Sequence, residues 1–73
     1  MTEPGIRKRS VLIAGHASSV SLEGEFWDVL KRLAAARGMS LNALISEIDT
    51  TRKGRNLSSA LRVFVLTSID TQR

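Results

Sequence analysis

The apolar residues Leu41, Leu44, Ile45 and Ile48 recur at i, i+3, i+4 and i+7, the full template of an amphipathic helix. Upstream, Phe26, Leu30, Leu33, Ala34 and Arg37 share one side of another such segment, with Trp27 beside them. Gly38 stands between the two, where a helix end needs positive φ, and Ser40 stands where the next helix needs an N-cap. The pattern predicts a first helix beginning near Glu23, a tight turn, and a second helix over 41–50. Glu23, Glu25 and Asp28 lie in the first turns of the first helix and Lys31, Arg32 and Arg37 toward its end, the order its dipole favours. Asp28 is spaced to pair with Lys31 or Arg32.

Ahead of the helices the period changes to two. Val20 and Leu22 alternate with Ser19 and Ser21, which predicts a strand running directly into the first helix. The run 10–14, rich in β-branched and aliphatic residues, predicts another strand, and Gly15-His16 separates the two. One reading bends the chain at Gly15 into two short strands; the other runs a single long strand through. Parity favours the bend, because an unbroken strand puts Val11 and Ile13 on the face of Ser19 and Ser21.

The two ends are less patterned. Residues 1–6 contain Pro4 and Gly5 and no periodicity, and with Arg7-Lys8-Arg9 they predict a flexible basic arm over 1–9. After it come a core over 10–50, a short basic linker over 51–55 and an additional segment over 56–70. Asn56 is suited to cap that segment. Val63-Phe64-Val65-Leu66 would also suit a strand, but length and the cap favour a helix. Such a helix is apolar almost all round and needs burial on several sides, which implies packing on its own chain and on a neighbour. No internal repeat stands out.

Composition narrows the classes. A chain of 73 residues makes one domain with a small core, marginally stable unless something staples it. It has no cysteine, so disulfides and thiolate metal sites are excluded, and His16 alone cannot build a metal site. Oligomerisation is the remaining staple. A hydrophobic share of 42% is ordinary for a folded domain. The net charge of +4 and a pI near 10.8 permit contact with nucleic acid or an anionic membrane. The charge is partly clustered in Arg7-Lys8-Arg9 and Arg52-Lys53-Gly54-Arg55. No apolar run approaches the roughly 20 residues that span a bilayer, and 11–14 is too short for a signal peptide's apolar region. A cytoplasmic protein with no membrane partner is expected. Catalytic chemistry has no foothold: Ser18, Ser19 and Ser21 lack an elbow motif, and His16 lacks a placed carboxylate. No phosphate-binding glycine loop is present. No enzyme activity, cofactor or metal is expected. His16 is read as a turn side chain and Trp27 as core or dimer packing.

The order strand, helix, turn, helix, spelled SVSLEGEFWDVLKRLAAARGMSLNALISEI, resembles the ribbon-helix-helix family. These are bacterial, archaeal and phage DNA-binding proteins related to the Arc and MetJ repressors, the CopG-type regulators and many antitoxins. The most specific part is Arg37-Gly38-Met39-Ser40-Leu41-Asn42, which resembles the family's inter-helix turn. GHASSVSLEGEFW with NLSSALRVFVL resembles a subgroup of short bacterial proteins with a third, C-terminal helix. The resemblance implies a mainly α fold with a short β ribbon, in an intertwined homodimer to which each chain gives one strand. Val20, Leu22, Phe26, Leu30, Leu33, Leu44, Ile45 and Ile48 would then fill a shared dimer core together with Leu41, a surface that a monomer would leave exposed.

The resemblance also implies DNA as the partner, with the ribbon in the major groove. Ser19 and Ser21, with Ala17 or Glu23, would face the bases. Backbone N–H groups at Ser40, Leu41 and Asn42 would meet a phosphate. Arg7, Lys8 and Arg9 would supply charge that the serine-rich ribbon lacks, or the neighbouring apolar strand would fold beside the ribbon and block it. The implied function is a DNA-binding transcriptional regulator, a repressor or an antitoxin, dimeric or of higher order. The alternative is an oligomeric protein-interaction or scaffold module of the same fold with little DNA affinity, taking a protein partner through its C-terminal helix.

Overall fold

Two consecutive residues of positive φ, Ala14 at 51° and Gly15 at 82°, reverse the chain. In the computed structural model, which describes residues 5–71, they close a two-residue hairpin. Its strands are β1 (Ile6–Ile13) and β2 (His16–Glu23), followed by α1 (Gly24–Ala36), α2 (Leu41–Thr50) and α3 (Leu57–Thr71). Residues 1–4 of the expected arm lie outside the described residues. Positive φ at both turn residues is the type I′ geometry, whose twist matches that of the strands it joins. Alanine is a poor residue for the first position because its Cβ crowds the backbone there. Replacing Ala14 by Asn, to make an Asn-Gly turn, is therefore expected to add about 0.5–1 kcal/mol. A urea midpoint that stays put or falls would show that residue 14 is not left-handed in solution.

The bend at Gly15 is thus a hairpin, and the two short strands pair with each other. Arg7, Lys8 and Arg9, expected in a flexible arm, are strand residues, because their backbone groups lie opposite Leu22, Ser21 and Val20. Side chains directly opposite share a face. Val11 and Ile13 of β1 therefore join Val20 and Leu22 of β2 on one apolar face, which covers the helices.

The helices end as their residues require. Gly38, at φ 69°, closes α1: its N–H donates to the Ala35 carbonyl and that of Met39 to the Ala34 carbonyl, both at 3.0 Å. This is the Schellman arrangement. Ser40 starts α2, its hydroxyl accepting from the Ala43 N–H at 3.0 Å. Asn56 does the same for α3, its carbonyl oxygen accepting from the Ser59 N–H at 2.8 Å. α3 is a helix throughout, so the strand alternative for Val63-Phe64-Val65-Leu66 gives way to the cap and the length.

The core is Val11, Ile13, Val20, Leu22, Trp27, Leu30, Ala34, Leu44, Ile45, Ile48, Ala60, Leu61 and Val65. Six of the eight residues expected in a shared dimer core, Val20, Leu22, Leu30, Leu44, Ile45 and Ile48, are buried within one chain. The expectation that a monomer exposes them is corrected, for a physical reason. β1 extends the apolar face of β2, and α3 covers what α1 and α2 leave open. Phe26, Leu33 and Leu41 are only partly buried against this core. Trp27, read as core, is 2% exposed.

α3 does not bury its whole circumference. Val63, Leu66 and Ile69 are 44%, 68% and 46% exposed and form a bare apolar stripe. The ion pairs among the described residues are Arg37–Glu47, Arg52–Asp49 and Arg62–Glu23. The expected Asp28 pairs are not among them, in keeping with the small energy of exposed helix pairs. Among the described residues no helix is long and apolar enough to cross a membrane, and no group of acidic, His or Cys side chains could hold a metal.

Candidate nucleic-acid interface

The face of the hairpin turned away from the helices carries four cross-strand pairs: Ile6 with Glu23, Lys8 with Ser21, Ser10 with Ser19, and Leu12 with Ala17. At its centre are three hydroxyls and one ammonium group. Ser19 and Ser21, expected to point outward, do so by register. Ala17 and Glu23, alternatives in the sequence, both share that face. Glu23, however, is tied to Arg62, whose Nε and Nη2 each lie 3.1 Å from Glu23 Oε1. Its carboxylate is held below its usual pKa. The largest cause is a hydrogen bond from its own backbone N–H, opposed in part by desolvation and reinforced by the Arg62 hydrogen bond and charge. An acid that would repel phosphate is thereby paired with a cation already in the chain. Sequence reasoning misses Arg62 and Ser10: Arg62 sits in an apolar helix 39 residues from Glu23, and Ser10 matters only through its pairing with Ser19.

The three basic residues of β1 part company. Lys8 stands on the outer face, whereas Arg7 and Arg9 fall on the helix side of the register, opposite Leu22 and Val20. There Arg9 stacks on Trp27, its guanidinium carbon 5.6 Å from the ring centroid, a cation–π distance. The Trp27 Nε1–H donates to the Arg7 carbonyl at 2.9 Å. Both arginines remain exposed, so their charge flanks the ribbon while their positions are set by the core.

The start of α2 lies against the outer edge of β1. The side chain of Asn42 explains this contact. Its Nδ2 donates to the Leu12 carbonyl at 2.7 Å, and its Oδ1 accepts from the Leu12 N–H at 2.9 Å. The amide thus imitates a neighbouring strand at one residue of β1, and Ser46 Oγ donates to the same carbonyl at 3.3 Å. Both polar ends of Asn42 are engaged inside the chain. Leu41 packs against the core and Ser40 Oγ caps the helix. What this helix start offers outward is backbone N–H, at the positive end of its dipole.

The far edge of β2 is met in the same way by α3, where Ser58 Oγ donates to the Ser21 carbonyl at 3.2 Å. Nearby, Arg52 is paired with Asp49 at 2.8 Å, while Lys53 and Arg55 are exposed in the turn between α2 and α3. A two-stranded antiparallel ribbon is narrow enough for the major groove of B-DNA. This one presents hydroxyls that both donate and accept, one lysine, and flanking arginines.

Comparison with known proteins agrees with this shape. The family model described as a ribbon-helix-helix domain matches residues 6–69. No curated protein matches the chain. Among solved structures, an uncharacterized protein from Bordetella pertussis Tohama I is similar over 93% of this chain, at 37% identity and a TM-score of 0.81. The match spans 58% of that protein's own length.

Proposed function

Given that this chain belongs to the ribbon-helix-helix family, we propose that it is a DNA-binding regulator acting in the cytoplasm and laying the outer face of its ribbon in the major groove. The observation that carries this reading is the composition of that face. Lys8, Ser10, Ser19 and Ser21 form a polar centre, and the one acid sharing the face is paired with Arg62. Lys8, Arg7 and Arg9 supply charge toward the phosphates, and backbone N–H groups at Ser40, Leu41 and Asn42 lie at the ribbon's flank. Serine discriminates between bases weakly, so the backbone contacts carry much of the affinity.

The test is binding of the purified chain to labelled duplexes, including DNA upstream of its own gene, at several salt concentrations, with the mass measured by light scattering on the same sample. Saturable binding that prefers one fragment and weakens steeply with salt is expected. Lys8→Ala is expected to lower the salt slope by about one. Absence of saturable binding at low salt would reject the reading. One observation favours a second reading, an interaction module with little DNA affinity: the bare stripe Val63, Leu66 and Ile69 on α3. That module would keep its assembly in the Lys8→Ala variant and bind no fragment.

A further inference from the structure

β1 and β2 are related by more than pairing. A two-fold axis normal to the ribbon through the Ser10–Ser19 pair exchanges Val11 with Val20 and Ile13 with Leu22, by the observed register. These four are the ribbon's buried residues. The same operation exchanges Leu12 with Ser21, the two residues whose carbonyls are held by helices. The sequences follow it: Ser10-Val11-Leu12-Ile13-Ala14-Gly15 and Ser19-Val20-Ser21-Leu22-Glu23-Gly24 share Ser, Val, an aliphatic residue and Gly at matching places.

The helices at the two edges correspond as well. Ser40-Leu41-Asn42-Ala43-Leu44-Ile45 opens α2, and Asn56-Leu57-Ser58-Ser59-Ala60-Leu61 opens α3. Each has a cap accepting from the N–H three residues on, a partly buried Leu, and a second helical residue that donates to a strand carbonyl. Leu44 and Ile45 are buried in one, Ala60 and Leu61 in the other. The repeat is hidden in the sequence because its units are offset by nine residues in the strands and sixteen in the helices.

The approximate symmetry ends at the outer face. There the axis exchanges Lys8 with Ala17 and Leu12 with Ser21, and only Ser10 and Ser19 match in kind. Each outer edge is also engaged at one residue by a helix of the same chain, which leaves no whole edge for a strand of another copy. Operator symmetry mirrors protein symmetry, so a ribbon of two identical strands reads a two-fold site. A ribbon with Lys8 and Leu12 on one strand and Ala17 and Ser21 on the other does not. We infer that the DNA-facing ribbon of this protein is completed by a single chain, and that one chain reads a duplex site with no two-fold axis beneath the ribbon. The second part rests on the DNA-binding reading above; the first stands without it.

Two measurements test it. The chain has no native cysteine, so Ser10→Cys with Ser19→Cys places a cross-strand thiol pair in an unambiguous background. Facing residues of an antiparallel pair lie about 4.5–5.5 Å apart at Cα, within disulfide reach. Oxidation is expected to give a covalent monomer on a non-reducing gel. A covalent dimer, or thiols that remain free in the folded chain, would overturn the single-chain ribbon.

In the second, the unmodified chain selects its site from a random duplex pool, and the mass of the complex gives the number of chains bound. One ribbon per dyad-free site is expected, and a symmetrised site made from either half is expected to bind about tenfold or more weaker. A palindromic site with its axis under the ribbon and two chains bound would overturn the inference and leave the DNA-binding function standing. No saturable binding would overturn the function, and with it the asymmetric site, while the gel still decides whose strands make the ribbon.

Discussion

Trp27→Ala is expected to leave the chain unfolded at room temperature. Trp27 joins the two parts of the molecule that sequence places furthest apart in kind, the start of β1 and the first helix. Its ring is almost wholly buried, its Nε1–H donates to the Arg7 carbonyl, and Arg9 stacks on its face. Removing a buried tryptophan costs about 3–5 kcal/mol, and a single core this small supplies about 3–5 kcal/mol of net stability. The two cancel. Circular dichroism would show the loss of helix, and a folded Trp27→Ala variant with a cooperative melt would mean that β1 does not rest on α1. Trp27→Phe separates the contributions. It keeps most of the apolar area but leaves the Arg7 carbonyl without its donor, at about 1–2 kcal/mol. That variant is expected to stay folded with a lower midpoint.

Asn42 carries the second large effect. Asn42→Ala deletes two hydrogen bonds to Leu12 at once and detaches α2 from the edge of β1. About 1 kcal/mol per bond gives a loss of about 2 kcal/mol, softened because Ser46 still donates to the Leu12 carbonyl. Asn42→Asp is the more telling variant. Its carboxylate still accepts from the Leu12 N–H and gains from the positive end of α2, but it sets an oxygen against the Leu12 carbonyl where Nδ2 stood. The expected loss at pH 7 is about 1–2 kcal/mol. It should shrink as the pH falls through the ordinary aspartate range near 4, since a protonated carboxyl can donate again. Denaturant melts at pH 7 and pH 3.5 check this. An Asp variant as stable as the parent at pH 7 would mean that the amide is not clamped on the strand.

These two residues also mark where the sequence is legible and where it is not. The place of Trp27 beside Phe26 correctly assigns it to the core, yet it is Trp27 that is buried and Phe26 that lies half-exposed under Arg62, 5.8 Å from its ring centroid. A helical wheel cannot choose between adjacent residues when the covering element, here β1, is unknown. At Asn42 only the backbone N–H reads as a phosphate contact, because it opens a helix, and the pattern gives its side chain no role. A side chain at a helix start has several possible partners, and only the position of β1 shows that a strand edge has taken both of its polar ends.

Local chemistry makes the helices, their caps and the reversals readable. Gly38 and Ser40 act through bonds spanning three to five residues, and the apolar spacing of α2 is a property of its own ten residues. The parity of Val11, Ile13, Val20 and Leu22 likewise favours a bend at Gly15 over a single long strand. The sequence by itself therefore determined the three helices, the strand character of residues 10–14 and 17–22 and the break between them, though not that β1 begins as early as Ile6. It did not determine whose strand pairs with whose, because alternation is the same whether the neighbour belongs to the same chain or to a second one. That was decided by the tertiary structure. The type I′ turn folds β1 back on β2, and Asn42 and Ser58, 30 and 37 residues from their partners, occupy the two outer edges.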